Sequence, residues 1–270
     1  MTAQLAAILA CPSCHGDFGH FPAELRCRRC ERHFPLLNGI PVFRDDAQPI
    51  AIMPAAYESN ALGVEFEAIL ARGQELVLHL GAGWTARKYP SCVELEQKIF
   101  RHTDVVADAH ALPFREHAFD RVLGFNVFEH LKNPPRATAE IFRVLKPGGS
   151  VVIHTAFLQP LHEAPNHFYN ATEYGVRSWF ENFKVEKCQV SPNFTAPFML
   201  AFLLHQVLDS VGSTRGEETR QAVGQSRLQD WADFWSDRAR VPALFQVLQS
   251  LPNESQSRIA AGFELIARKP

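Results

Sequence analysis

Val77-Leu-His-Leu-Gly-Ala-Gly83 decides the fold: a short apolar strand that runs straight into a turn carrying two glycines. Small residues in such a turn let a ligand come close to the backbone, and α/β folds bind ligands at this carboxyl edge of a parallel sheet. A Gly-x-Gly turn is common by itself, so the reading depends on what surrounds it. Outward from this point the chain alternates apolar runs with helical stretches, the pattern of an α/β sheet. Strands are predicted at Leu76–Leu80, Cys92–Glu96, Val105–Asp108, Arg121–Phe125, Ser150–Thr155, Lys184–Val190 and Phe263–Arg268. A helix is predicted over residues 57–72, where Leu62, Phe66 and Ile69–Leu70 share a stripe. Another runs from Pro135 to Leu145, with Pro135 suited to its first turn and Lys146-Pro-Gly-Gly149 ending it.

Two carboxylates stand where such a sheet would use them. Glu96 ends the second strand, where a carboxylate can accept both hydroxyl hydrogens of a ribose. Asp108 ends the third and could accept from an exocyclic amine. Read singly, each acid could equally be solvated at a strand end. The connections are short: seven residues separate Gly83 from Ser91, and seven more, Gln97 to Thr103, lie before the next strand. A parallel crossover normally takes a dozen or more, so at least one ordinary helix must be reduced to a turn.

Four of the six cysteines form two knuckles, Cys11-Pro-Ser-Cys14 and Cys27-Arg-Arg-Cys30, twelve residues apart. That spacing predicts one tetrahedral zinc–thiolate site, structural because four protein ligands leave no open position. A segment of this size has too little core to fold alone, and metal binding would supply the difference, on the order of 10 kcal/mol. The alternatives are two disulfides or a thioredoxin-like redox pair. Met1 to Ala10 has no cationic start, so no signal peptide is expected, which disfavours the first. No βαβ context surrounds the cysteines, which disfavours the second. Arg26, Arg28, Arg29, Arg32 and His33 crowd the second knuckle, either to contact phosphates or to balance the negative zinc–thiolate centre. Cys92 and Cys188 read as small apolar residues.

The runs Leu9-Ala-Cys-Pro-Ser-Cys14, Cys27-Arg-Arg-Cys30 and Phe34-Pro-Leu-Leu-Asn-Gly-Ile-Pro-Val-Phe43 together resemble the zinc ribbon of the Trm112-like family, whose members are methyltransferase partners or fused N-terminal modules. Five further motifs occur in order: Val77-Leu-His-Leu-Gly-Ala-Gly83, Val106-Ala-Asp-Ala-His-Ala-Leu-Pro-Phe114, Phe119-Asp-Arg-Val122, Asn126-Val-Phe-Glu-His-Leu131 and Ile141-Phe-Arg-Val-Leu-Lys-Pro-Gly-Gly149. Together they resemble the class I S-adenosylmethionine-dependent methyltransferases of the type 11 group, over roughly residues 57–190 and again at the terminal strand. The resemblance implies a Rossmann-like seven-stranded α/β sheet with its last strand antiparallel, an N-terminal zinc ribbon and a helical insertion. It also implies that Gly81, Ala82 and Gly83 border the methionine part of S-adenosylmethionine, that Glu96 holds the ribose, and that Asp108 and Ala109 flank the adenine. Asn126 joins this cofactor-binding set. Two positions depart from the family: His79 stands where an acid is frequent, and Thr85 where a third glycine is.

The expected organisation is a zinc ribbon at 1–44, a linker at 45–56, a methyltransferase domain at 57–190 plus 258–270, and a helical cap at 191–257. Pro197-Phe-Met-Leu-Ala-Phe-Leu-Leu204 is apolar on every side, so as a helix it must be buried or paired. Extended over 197–208 it is a candidate face for a homo-oligomer, or a lid near a lipid-linked acceptor. His130, His162 and His167 are the candidate bases, although an activated methyl group needs a base only for a poor nucleophile.

Whole-chain properties narrow the classes further. The chain has 270 residues, is 46% hydrophobic and 21% charged, and has a net charge of −2. That composition excludes disordered and collagenous proteins and gives no general attraction to nucleic acid. No apolar run approaches membrane-spanning length. The expectation is a cytoplasmic enzyme that transfers a methyl group from S-adenosylmethionine to an unidentified acceptor, with a small molecule, sugar or lipid-linked intermediate favoured. The alternatives are an rRNA or tRNA methyltransferase gripping RNA through the ribbon, and a non-catalytic adaptor whose ribbon recruits a protein partner.

Overall fold

The computed structural model describes residues 1–21, 23–44, 49–54, 62–191, 194–237, 239–259 and 261. The first element is α1 (Ala3–Ile8), whose N-terminus is capped by Thr2 Oγ1 accepting from Leu5 N at 3.2 Å. A meander of four antiparallel strands follows, β1 (Phe18–Phe21), β2 (Glu24–Cys27), β3 (His33–Leu37) and β4 (Ile40–Phe43). Phe18, Phe34 and Phe43 pack mutually with ring centroids 5.0–5.8 Å apart and form the small core of this ribbon.

After α2 (Val64–Arg72) come β5 (Val77–Leu80), β6 (Cys92–Glu96), β7 (Val105–Ala107) and β8 (Phe119–Phe125), then α3 (Pro134–Val144), β9 (Leu145–His154) and α4 (Glu173–Trp179). Every residue of β5 and β7 is buried, which is why these strands, His79 apart, read as apolar runs without alternation. The sheet order is β1-β2-β3-β4-β7-β6-β5-β8-β9, with β4 to β9 parallel. On one face Leu78, Leu80, Val93, Leu95, Phe114, Phe119 and Ile141 lie in the main core; on the other Val77, Cys92 and Leu123 pack against Phe66 and Leu70 of α2.

Three expectations need correction. Among the described residues the sheet has nine strands, four from the ribbon and five from the main domain, because the ribbon's last strand pairs in parallel with β7. Leu9 also bridges Phe114, and Ala10 N donates to Pro113 O at 3.0 Å, so the ribbon is joined to the sheet's own loops as well. Lys184–Val190 forms no strand: Val185 and Val190 are exposed, so its apolar residues have no face to bury. The strand expected at Ser150–Thr155 starts earlier, so that Lys146-Pro-Gly-Gly149, which does follow the helix end, lies within it. α3 stops at Val144, β9 starts directly at Leu145, and an irregularity in register against β8 between Phe119 and Arg121 takes up the extra residues. The closing strand expected at Phe263–Arg268 lies outside the described residues.

Both short crossovers are free of helix, over residues 81–91 and 97–104, as their lengths required.

The chain divides into two compact units. One comprises Met1–Ala156 with Phe168–Gln189 and holds the sheet; the other comprises Phe157–His167 with Val190–Pro270. Helices α5 (Ala196–Arg215), α6 (Glu217–Gly224), α7 (Leu228–Ser236), α8 (Phe245–Gln249) and α9 (Asn253–Ile259) make up the second, around Val211, Val223 and Leu251. α5 contains the apolar stretch and continues it to 20 residues, and Phe198 and Leu200 on it are exposed. No described helix is long and apolar enough to cross a membrane.

Candidate functional site

The four knuckle cysteines converge, with their sulfur atoms all within 4.8 Å of one another. Cys11 Sγ lies 3.6 Å from Cys30 Sγ, and Cys14 Sγ lies 3.5 Å from Cys27 Sγ. A tetrahedron with zinc–sulfur bonds of about 2.3 Å has edges of about 3.8 Å, so the donor set fits that ion. The residue after each knuckle, His15 and Glu31, has positive φ, which folds the backbone over the sulfurs. Arg29 N and Cys30 N point at Cys27 Sγ at 3.4 and 3.5 Å; burial opposes a thiolate there, but these amides and the facing thiols outweigh it and bring Cys27 down to about 7. Gly16 was not singled out by spacing, yet a Cβ there would sit 2.7 Å from Arg29 Cβ and 3.1 Å from Cys27 Sγ. The neighbouring cations are mostly engaged locally. Arg26 pairs with Glu31 at 3.2 Å, Arg29 Nη1 donates to Cys14 O, Arg32 Nη1 donates to Ser13 Oγ, and His33 pairs with Glu24.

The cofactor-binding candidates come from the carboxyl ends of β5, β6, β7 and β8. Gly81 and Gly83 both have positive φ (61° and 62°), and a Cβ on Gly81 would fall 2.3 Å from Val127 Cγ2. Ala82 between them is buried. Gly81 N donates to Leu95 O at 2.9 Å and Gly83 N to Glu96 Oε1 at 2.5 Å, so the glycine turn is tied to the end of β6. Burial pushes Glu96 up to about 7 against the opposing pull of the Gly83 and Gln97 amides. Asp108 follows β7 with half its side chain exposed, and Ala109 beside it is buried. Burial opposes ionisation of Asp108, but bonds from His110 outweigh it and hold the carboxyl below its usual range. Asn126 follows β8 with φ 57°; its N donates to His154 O at 2.9 Å, while its buried Oδ1 has no hydrogen-bond partner among the described residues. A buried amide oxygen left in that state costs about 1–3 kcal/mol, which is the mark of a position built for a ligand donor or a water. A turn with no room for a Cβ, two strand-end carboxylates and this orphaned oxygen fit a nucleoside bearing an amino-acid tail.

A polar cluster that spacing did not disclose replaces the missing helices. Thr85 Oγ1 lies 3.0 and 3.1 Å from the two Glu94 carboxylate oxygens and 2.9 Å from His102 Nδ1. Lys88 Nζ donates to Asp104, His102 O and Cys92 O. Asp104 Oδ2 in turn accepts from Glu94 N at 2.8 Å. Burial pushes Glu94 up to about 7, with Lys88 and Thr85 opposing. Glu94 is the parallel register partner of His79, which burial, with Lys88 adding, lowers to about 4. His79 is therefore neutral at pH 7, and the acid stands one strand over. Both loops on this side are thus anchored by side chains where a crossover helix is absent.

The three histidine candidates fall in different units of the chain. His130 lies in a 3-10 turn after β8, next to the fully buried Glu129, whose Oε2 accepts from Thr155 Oγ1 at 3.0 Å. His162 and His167 belong to the second unit, with ring centroids 4.2 Å apart. His162 N donates to His167 Nδ1, and His162 Nδ1 lies 2.9 Å from Pro160 O.

This architecture joins a Rossmann-like α/β domain to a four-cysteine ribbon. Residues 88–153 match the family described as Methyltransf_11, a methyltransferase domain. The chain is 46% identical over 97 residues to the ubiquinone/menaquinone biosynthesis C-methyltransferase UbiE of Coxiella burnetii, and the match spans only 35% of either protein. It is also 42% identical over 48 residues to a UPF0434 protein of Dechloromonas aromatica, covering 17% of this chain and 83% of that protein. Among solved structures, a putative methyltransferase from Bacillus halodurans shares 18% identity at a TM-score of 0.33, covering 43% of this chain and 66% of that one. The chain therefore carries a methyltransferase domain of the type 11 kind over residues 88–153, together with a segment similar to the UPF0434 protein.

Proposed function

We propose that the protein transfers a methyl group from S-adenosylmethionine to a small organic acceptor, with a structural zinc in the ribbon. The observation that carries this reading is the meeting of Gly81, Gly83, Glu96, Asp108 and Asn126 at the ends of four adjacent strands, where Gly81 has no space for a side chain. Glu96 would take the ribose hydroxyls, Asp108 the adenine amine with Ala109 against the ring, and the Gly81–Gly83 turn the methionine portion. Asn126 Oδ1 would accept from the cofactor's amino-acid end. Once bound, the sulfonium supplies an already activated methyl carbon, so the protein's task is to align the acceptor and exclude water. No base is assigned to His130, His162 or His167, since an activated methyl group needs one only for a poor nucleophile.

The relative UbiE is by its name a C-methyltransferase of quinone biosynthesis, which favours a ring-bearing small molecule over a macromolecule here. Engagement of Arg26, Arg29, Arg32 and His33 within the ribbon, and the net charge of −2, speak against an RNA grip. The test is incubation of the full chain with tritiated-methyl S-adenosylmethionine and cell extract. Label in the organic-soluble, nuclease- and protease-resistant fraction supports the reading. Label released by nuclease or protease overturns it.

A further inference from the structure

His110 stands between Asp108 and the start of α3, and both of its ring nitrogens are assigned by their neighbours. Asn133, the N-cap of α3, donates its backbone N–H to His110 Nε2 at 3.1 Å. An accepting nitrogen carries no hydrogen, so in the neutral ring the hydrogen is on Nδ1. Nδ1 lies 2.5 Å from Asp108 Oδ1, and His110 N donates to the same oxygen at 2.9 Å. Arg136 Nε holds His110 O at 3.0 Å, and Arg136 N is in turn taken by Asn133 Oδ1. Pro134 and Pro135 have no N–H of their own, so the first free donors of the helix are absorbed by the cap. The ring is fixed at both ends while only 14% of its surface is exposed.

The consequence falls on Asp108. Its Oδ1 receives both bonds from His110, and none of the hydrogen bonds among the described residues reaches its Oδ2, although the side chain is half exposed. A neutral histidine donor leaves the carboxylate charged and acceptor-only. We propose that His110 is a positioning residue for purine recognition: it fixes Asp108 through Oδ1 so that Oδ2 selects a ligand donor, an exocyclic amine, over an oxo group. This rests on the reading that Asp108 faces the purine. Other carboxylates of the edge do not share the arrangement, since Glu96 is held by backbone amides alone.

The experiment compares S-adenosylhomocysteine with S-inosylhomocysteine, which has an oxo group where adenine has the amine. Each is titrated calorimetrically into metal-replete full chain, in the wild type and in Asp108→Ala, His110→Ala and His110→Asn. The wild type is expected to prefer the adenosyl ligand at least tenfold, and Asp108→Ala to abolish the preference. His110→Ala should cut it to about threefold or less. His110→Asn, whose amide nitrogen can stand where Nδ1–H stands but cannot reach Asn133, should retain most of it. A role confined to capping α3 would instead make the two His110 variants alike. Full preference in His110→Ala, with Asp108→Ala lacking it, overturns the proposal. Full preference in Asp108→Ala overturns the purine reading beneath it. Thermal melts of each variant verify folding, and His110→Asn keeps the test decisive if His110→Ala does not fold.

Discussion

Val42 of the ribbon and Val106 of the main sheet are register partners in adjacent parallel strands, and Phe43 and Ala107 pair one step further on. Both valines are buried with Ile99. Just past this joint, Arg44 Nη1 donates to Gln97 O at 2.9 Å, next to Glu96, and Asp108 follows Ala107. The ribbon therefore closes the β7 side of the sheet, which carries Asp108, and its Arg44 reaches the end of β6 beside Glu96. It follows that ribbon and sheet unfold together. Val42→Asp, which places a carboxylate in that apolar contact, is expected to destabilise the unit by about 3 kcal/mol. Chelation of the metal should lower the midpoint of one cooperative transition. Calorimetry that resolves a separate ribbon transition would contradict the joint.

Cofactor affinity should depend on pH through Glu96. Its pKa is raised to about 7 by burial, and the ribose hydroxyls require the carboxylate. Binding of S-adenosylmethionine is then expected to be full above pH 8 and to fall up to tenfold per unit below about pH 7. Titrations at pH 6, 7 and 8 check this, with Glu96→Gln expected to bind weakly and with a flatter profile.

Gly81→Ala should lose cofactor binding and stability together. The new Cβ would fall 2.3 Å from Val127 Cγ2, at a backbone φ of 61°. The left-handed backbone alone costs about 1–2 kcal/mol. Adding Val127→Ala should recover the part due to the clash and leave the backbone part. Melting temperatures of the single and double variants measure both.

Glu94 predicts a stability effect of defined sign. Its folded pKa is raised to about 7 by burial, against 4.5 as its ordinary value. Its favourable contribution is complete below about pH 4.5 and is lost as pH rises through 7. Glu94→Gln, which can still accept from Thr85, should remove that slope. The gap between variant and wild type in chemical denaturation is expected to shift in the variant's favour by on the order of 3 kcal/mol from pH 5 to pH 8.

What the sequence disclosed and what it hid divide along physical lines. The buried parallel strands were legible because both faces must be apolar, and the knuckles because two Cys-x-x-Cys pairs have few other uses. Glu96 and Asp108 were legible from their places at strand ends. The β4–β7 joint was not, because Ile40-Pro-Val-Phe43 reads as an ordinary ribbon strand and its second neighbour is set by tertiary packing. The Lys88–Asp104 and Thr85–Glu94 contacts join residues 16 and 9 apart across loops without periodicity. His110 carried no reading within Asp108-Ala-His-Ala, since its partner Asn133 lies 23 residues on. Lys184–Val190 had strand-like residues but no buried face.

The measurement that bears most directly on the central claim is calorimetric titration of metal-replete wild type and Glu96→Ala with S-adenosylmethionine and S-adenosylhomocysteine. One site per chain is expected in the wild type, with binding weakened at least tenfold in Glu96→Ala and metal content unchanged. No binding to folded, metal-replete wild type, or equal binding by the variant, would contradict it.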